Sequence, residues 1–122
     1  MTTRPKQSAA DWLPLKPVVF HILLALAERE SHAYGVIQAV RERSGGRIRL
    51  ETGPFYRHLK KLLDGGLVSE SQDRPPDADR RRGAYYRLTR PGSEVLVAES
   101  HRLAALVSLT EELGLARARG DG

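Results

Sequence analysis

Arg57, Lys60 and Lys61 sit close together in the chain with Tyr56 and His58 beside them, and a second basic run, Arg80, Arg81 and Arg82, follows later. These residue types suit polyanion chemistry. Guanidinium and ammonium groups neutralise phosphates, an arginine can grip a guanine edge through two parallel hydrogen bonds, and a tyrosine hydroxyl can donate to a phosphate oxygen. Lys16 and Tyr34 are further candidates for contact with a phosphate backbone. Bland readings stand beside these. A cationic cluster on a helix is also an ordinary solvated face, Asp77 and Asp79 offset part of the second run, and His32 and Tyr34 could equally cap or pack.

Other chemistries find little support. The chain has no cysteine, which removes disulfides, thiolate metal sites and thiol nucleophiles. No two of His21, His32, His58 and His101 are three or four residues apart, so no helical metal clamp is available. No serine occupies a nucleophile elbow and no glycine-rich phosphate loop is present, so the expectation is a non-enzyme without cofactor or metal. The net charge of +5 and an isoelectric point near 10.0 bias the surface towards polyanions. The longest apolar run, residues 18–27, is interrupted by His21 and too short to cross a bilayer. The first ten residues are polar and lack the apolar centre of a signal peptide. A cytoplasmic protein without a membrane partner is expected. At 122 residues it is one domain with a modest core, for which dimerisation is a natural source of extra stability.

The elements that must position the cations follow from periodicity. Residues 1–11 carry no pattern and read as a flexible arm, leading into Trp12, Leu13, Pro14 and Leu15. Pro17 suits the first turn of a helix that is apolar nearly all round and ends near residues 28–30. Ser31 reads as the N-cap of a second helix, in which Ala33, Val36, Ile37 and Val40 form one stripe and Ser44, Gly45 and Gly46 bring the stop. Residues 48–50 allow a turn or a scrap of strand. In the third helix Gly53 is the expected N-cap and Pro54 the first helical residue. There Phe55, Leu59, Leu62 and Leu63 turn inward, the cations turn outward, and Gly65 and Gly66 close the helix. Residues 67–72 and 84–89 read as strands joined by a long polar loop, and a last helix spans about residues 93–113 with Leu96, Leu103, Leu106, Leu109 and Leu113 as its apolar positions. Residues 12–90 thus form one domain, 91–113 a terminal helix, and 114–122 a frayed tail.

Three helices followed by a hairpin is the winged helix-turn-helix order, an α+β fold that is mainly α. Its third helix needs an apolar side for its own domain and a cationic side for a major groove, and here has both. The residues also carry a family resemblance. Ser31-His32-Ala33-Tyr34-Gly35-Val36-Ile37 resembles the second-helix opening of PadR-type regulators, and residues 53–62, Gly53-Pro54-Phe55-Tyr56-Arg57-His58-Leu59-Lys60-Lys61-Leu62, resemble their recognition helix. Leu63-Asp64-Gly65-Gly66-Leu67-Val68 is similar to its usual exit, and Arg82-Gly83-Ala84-Tyr85-Tyr86-Arg87-Leu88-Thr89, with Gly92 after it, to the wing strand and the turn beyond. The resemblance spans about residues 13–113 and implies a homodimeric transcription factor, usually a repressor, whose final helix packs across the partner subunit. A single helix after the wing is similar to the short subfamily. Where the family commonly has a hydroxyl residue this chain has Pro54, so an operator sequence does not carry over.

The expected protein is a dimer on double-stranded DNA. Arg57, Lys60 and Lys61 enter the major groove, Tyr56 contacts a phosphate with Pro54 beside it, and Arg80, Arg81 and Arg82 grip outside from the wing. Leu96, Leu103, Leu106, Leu109 and Leu113 form the dimer seam, with Trp12 assisting. Trp12 is also a candidate for stacking on a small hydrophobic or aromatic effector, against the plainer reading of an anchor for the terminal arm. The rival reading of the whole chain is a winged-helix module whose cations face an acidic protein.

Overall fold

The computed structural model describes residues 8–71 and 83–115. A 3-10 turn, Ala9–Trp12, leads into α1 (Pro17–Glu28), α2 (Ala33–Arg43) and α3 (Thr52–Asp64); α4 (Arg90–Glu112) ends the described chain. Between the helices lie β1 (Ser31–His32), β2 (Val68–Glu70) and β3 (Tyr85–Leu88), which make an antiparallel sheet in the order β1-β3-β2. Ser31 pairs with Tyr86 and His32 with Tyr85; on the other edge Val68 pairs with Leu88 and Glu70 with Tyr86. This is a winged helix with a long terminal helix, the architecture expected from the order of elements.

The core gathers one side of each helix. Ile22, Leu23, Ala25 and Leu26 of α1 meet Val36 and Val40 of α2, Phe55, Leu59 and Leu62 of α3, and Val95 and Leu96 of α4, with Leu67 and Val68 sealing the sheet side. The apolar spacing on each helix puts these side chains on one stripe, and their burial supplies most of the folding free energy.

Several boundaries differ from the expectation, for local reasons. Ser31 is drawn into β1, so His32 becomes the cap of α2: its Nδ1 accepts the Gly35 amide at 3.0 Å. The pairing of Ser31 with Tyr86, a residue far along the chain, decides this over Ser31's own capping preference. Helix α3 begins at Thr52, with Glu51 as cap, so Pro54 sits inside the first turn, where its missing N–H leaves no hydrogen bond unmade. The last helix starts at Arg90 rather than beyond the Pro91-Gly92 pair. Thr89 caps it by accepting the Gly92 amide at 3.1 Å, and Pro91 is tolerated in that first turn for the same reason. The 3-10 turn reaches into the segment that showed no periodicity.

Two junctions hold the fold rigid around α3. Its exit is a paired-hydrogen-bond cap: Leu67 N–H reaches Leu62 C=O at 2.9 Å and Gly66 N–H reaches Leu63 C=O at 3.1 Å, with Gly66 at φ 77°. The start of α4 is bolted to this exit. Thr89 donates its hydroxyl to Gly66 C=O at 2.6 Å, Thr89 N–H binds Leu67 C=O at 3.0 Å, and a Cβ on Gly92 would lie 2.1 Å from that same carbonyl oxygen.

Candidate nucleic-acid interface

The faces of α3 can be laid out by turning about 100° per residue. Phe55, Leu59 and Leu62 are buried; Tyr56, Arg57, Lys60, Lys61 and Asp64 are exposed. Arg57 is opposite the buried stripe. Lys61 lies towards one flank with His58 and Gly65, and Tyr56 and Lys60 lie towards the other. Gly53 leaves the first turn open, with the Arg57 guanidinium 3.9 Å from where its Cβ would stand.

The wing borders the Tyr56 flank. Tyr56 is about half exposed and meets Phe55 edge-on, with ring centroids 5.2 Å apart. Tyr86 of β3 is half-buried, and its hydroxyl is held above the ordinary tyrosine range by burial first, then by Tyr56 and Glu70. Tyr34, at the start of α2, is 50% exposed and stacks beside His32. The wing arginines Arg80, Arg81 and Arg82 lie outside the described residues.

The opposite flank carries a strap made of residues 12–16. Trp12 lies over Gly65 so closely that a Cβ there would fall 2.4 Å from Cζ2 of the indole. Leu15 is buried, and its amide donates to the Glu99 carboxylate of α4 at 3.0 Å. Lys16 follows, exposed, as the cap residue of α1. Its charge reaches His58 of α3, whose pKa is pushed below the usual histidine value by partial burial first, then by Lys16, Lys61 and Arg57.

Glu99 is 1% exposed. Besides the Leu15 amide it accepts two hydrogen bonds from Arg102, at 2.6 and 2.9 Å, and these contacts outweigh burial to hold its carboxyl below the ordinary glutamate range. Lys60 pairs with Asp64 at 3.0 Å with both side chains largely exposed, a contact worth little in water. Among the described residues, Arg57 and Lys61 stand exposed on the face beside this pair. A groove over the base of the sheet is lined by Arg29, Arg87 and Arg90 with Glu30 and Ser93.

Of the dimer-seam candidates, Leu96 belongs to the subunit's own core and Leu103 is half-buried, while Leu106, Leu109 and Leu113 are 48–63% exposed. Trp12 packs on its own subunit. The sequence reading passed over Glu99 and the pairing of Lys16 with His58. Nothing in local spacing signals either, because the partners lie 84 and 42 positions away. It also passed over Arg47, Arg49 and Thr52, exposed residues at the threshold of α3 that their charge and hydroxyl types could have flagged.

A winged helix with an open cationic face on its third helix defines a protein of the DNA-binding regulator class. Residues 22–98 match the family model described as the transcriptional regulator PadR-like family, and the chain belongs to that family. No curated protein sequence matches it. Among solved structures it is similar to a PadR family transcription regulator from Clostridium difficile R20291, at 20% identity and a TM-score of 0.67 over 80% of this chain and 98% of that one. It is also similar to a transcriptional regulator from Clostridium thermocellum, at 18% identity and 0.63 over 78% and 90%. A PadR-like transcription factor from Bacteroides fragilis aligns at 22% identity and 0.63, over 79% and 88%. Such regulators are generally not enzymes. No described helix is long and apolar enough to cross a membrane.

Proposed function

We propose that the chain is a cytoplasmic homodimeric repressor that places α3 of each subunit in successive major grooves of a pseudo-palindromic operator. The observation that carries this reading is the open face of α3: Arg57 and Lys61 project from the side opposite Phe55, Leu59 and Leu62, between the wing and the strap. Arg57, near the helix N-terminus, is the candidate for a base edge; Lys60, Lys61, Tyr56, Tyr34 and Lys16 are candidates for phosphates. Pro54 lies half-buried beside them as part of the wall of that first turn. The wing arginines Arg80, Arg81 and Arg82 are assigned to flanking phosphates.

Dimerisation is assigned to the outer half of α4. Beyond Leu103 the helix leaves its own core, and Leu106, Val107, Leu109 and Leu113 stand about half exposed or more. Covering each recovers roughly 1 kcal/mol, and a two-fold axis doubles the sum. Two subunits so joined would hold their recognition helices about one DNA turn, ~34 Å, apart. An aromatic effector stacking on Trp12 would compete with its seat on Gly65, and so would act directly on the end of α3.

The test is retention of a duplex carrying the DNA upstream of the protein's own coding sequence. Wild type should bind it with an affinity that falls three or more decades between low and moderate salt, if roughly 6–10 phosphates are neutralised. The double substitution Arg57→Glu with Lys61→Glu should abolish binding while the circular dichroism spectrum is kept. Unaltered binding by that variant overturns the assignment of α3.

A further inference from the structure

The strap reaches α3 at two points on one flank. His58 and Gly65 are seven residues apart, which brings them within about 20° of each other around the helix, two turns apart along it. Trp12 covers Gly65, and four residues later Lys16 arrives near His58. Seven helical residues span about 10 Å, which lies within the reach of a four-residue strap that bends at Pro14. Between the two contacts the strap is pinned by the buried Leu15 side chain and by its amide on Glu99. The backbone at Lys16 is therefore anchored through its neighbour Leu15, and the Lys16 charge acts on His58.

Lys61 completes the group, one turn from His58 on the same flank, with Arg57 adjoining. The charges acting on His58 from the strap and from its own helix are all cations: Lys16, Lys61 and Arg57. Like charges so placed repel one another and favour an anion between them. We propose, on top of the DNA-binding reading of α3, that Lys16, His58 and Lys61 form one composite seat for a DNA backbone phosphate, in which His58 takes up a proton as the phosphate arrives. The seat lies on the side of α3 away from the wing, so it grips the strand flanking the groove opposite the one the wing grips.

The linkage has a definite sign. Without DNA, partial burial and then the three cations hold His58 below its ordinary pKa, which favours the neutral ring. A phosphodiester close to the ring favours the imidazolium and raises its pKa. Protons are then bound on association, so affinity climbs as pH falls through the DNA-bound pKa and levels off below the free one. Each seat contributes up to about a tenfold gain per pH unit across that window, and a dimer carries two seats.

The experiment is fluorescence anisotropy of the full-length chain with a labelled mixed-sequence duplex between pH 8 and pH 5.5 at constant ionic strength, alongside NMR titration of the His58 ring with and without the duplex. Wild type should bind about tenfold or more tightly at the acid end, His58→Gln should lose most of that gain, and the His58 pKa should rise on adding DNA by about one unit or more. Lys16→Gln should raise the pKa of His58 in the free protein by removing a facing cation, which separates the seat from a merely packed histidine. The proposal is overturned if His58→Gln keeps the wild-type pH slope, or if His58 titrates identically with and without DNA. The ring titration on wild type decides the matter even if the His58 variant does not fold. Absence of salt-sensitive DNA binding at every pH is a different result: it overturns the proposed function and this seat with it.

Discussion

Replacing Glu99 tests how the strap, α4 and α3 are held as one body. In the native protein this carboxylate is almost wholly enclosed and receives the Leu15 amide at 3.0 Å and two bonds from Arg102. In Glu99→Ala the Leu15 N–H is left buried without its acceptor, a loss of about 1–3 kcal/mol. The Arg102 side chain is 35% exposed and can turn towards water, so losing its bonds adds little. The expected destabilisation is about 1–3 kcal/mol, which lowers Tm by roughly 3–12 °C in a chain of this size. Urea or thermal denaturation followed by circular dichroism measures it, at matched protein concentration because dimerisation shifts the apparent stability. The pH profile supplies a second readout. The Glu99 carboxyl is held below its ordinary value in the folded chain, so its contribution is complete above the unfolded carboxylate range and is lost as pH falls through the native value. Wild type should therefore lose more stability on acidification than Glu99→Gln. A melting temperature for Glu99→Ala within about 1 °C of wild type, or parallel acid profiles, would refute this account of the node.

Three further outcomes are expected. Gly92→Ala should destabilise by about 2–4 kcal/mol in urea titrations, because its Cβ would collide with the Leu67 carbonyl oxygen in the rigid junction between α3 and α4. Gly65→Ala should dislodge Trp12, the only tryptophan, and shift its fluorescence to the red, since the added methyl would occupy the indole's seat. Leu106→Glu combined with Leu109→Glu, both exposed in the subunit, should leave the helical circular dichroism intact and yield a monomer by light scattering; a dimer would remove the α4 seam.

The legible part of the protein is the part written in local periodicity. Phe55, Leu59 and Leu62 are buried and Arg57 and Lys61 exposed because the 3.6-residue repeat assigns side chains to faces before any tertiary contact forms. Gly45, Gly46 and Gly66 mark helix exits because each adopts a positive φ, where other residues are strained. His32 shows where this reading stops. As a residue type it is an unremarkable cap, and it takes the role only because Ser31 pairs across the sheet with Tyr86.

Composition and spacing thus determined the element order, the winged-helix class, and the amphipathic third helix with its outward cations. Tertiary structure alone decided which of those groups work together: Glu99 with Leu15, Trp12 with Gly65, Lys16 with His58, and Leu96 with its own core instead of a partner. The physical reason is range. Helical periodicity and turn chemistry act over a few residues and leave a mark in the string of letters, whereas burial and electrostatic partnership depend on which distant segments the collapsed core brings together.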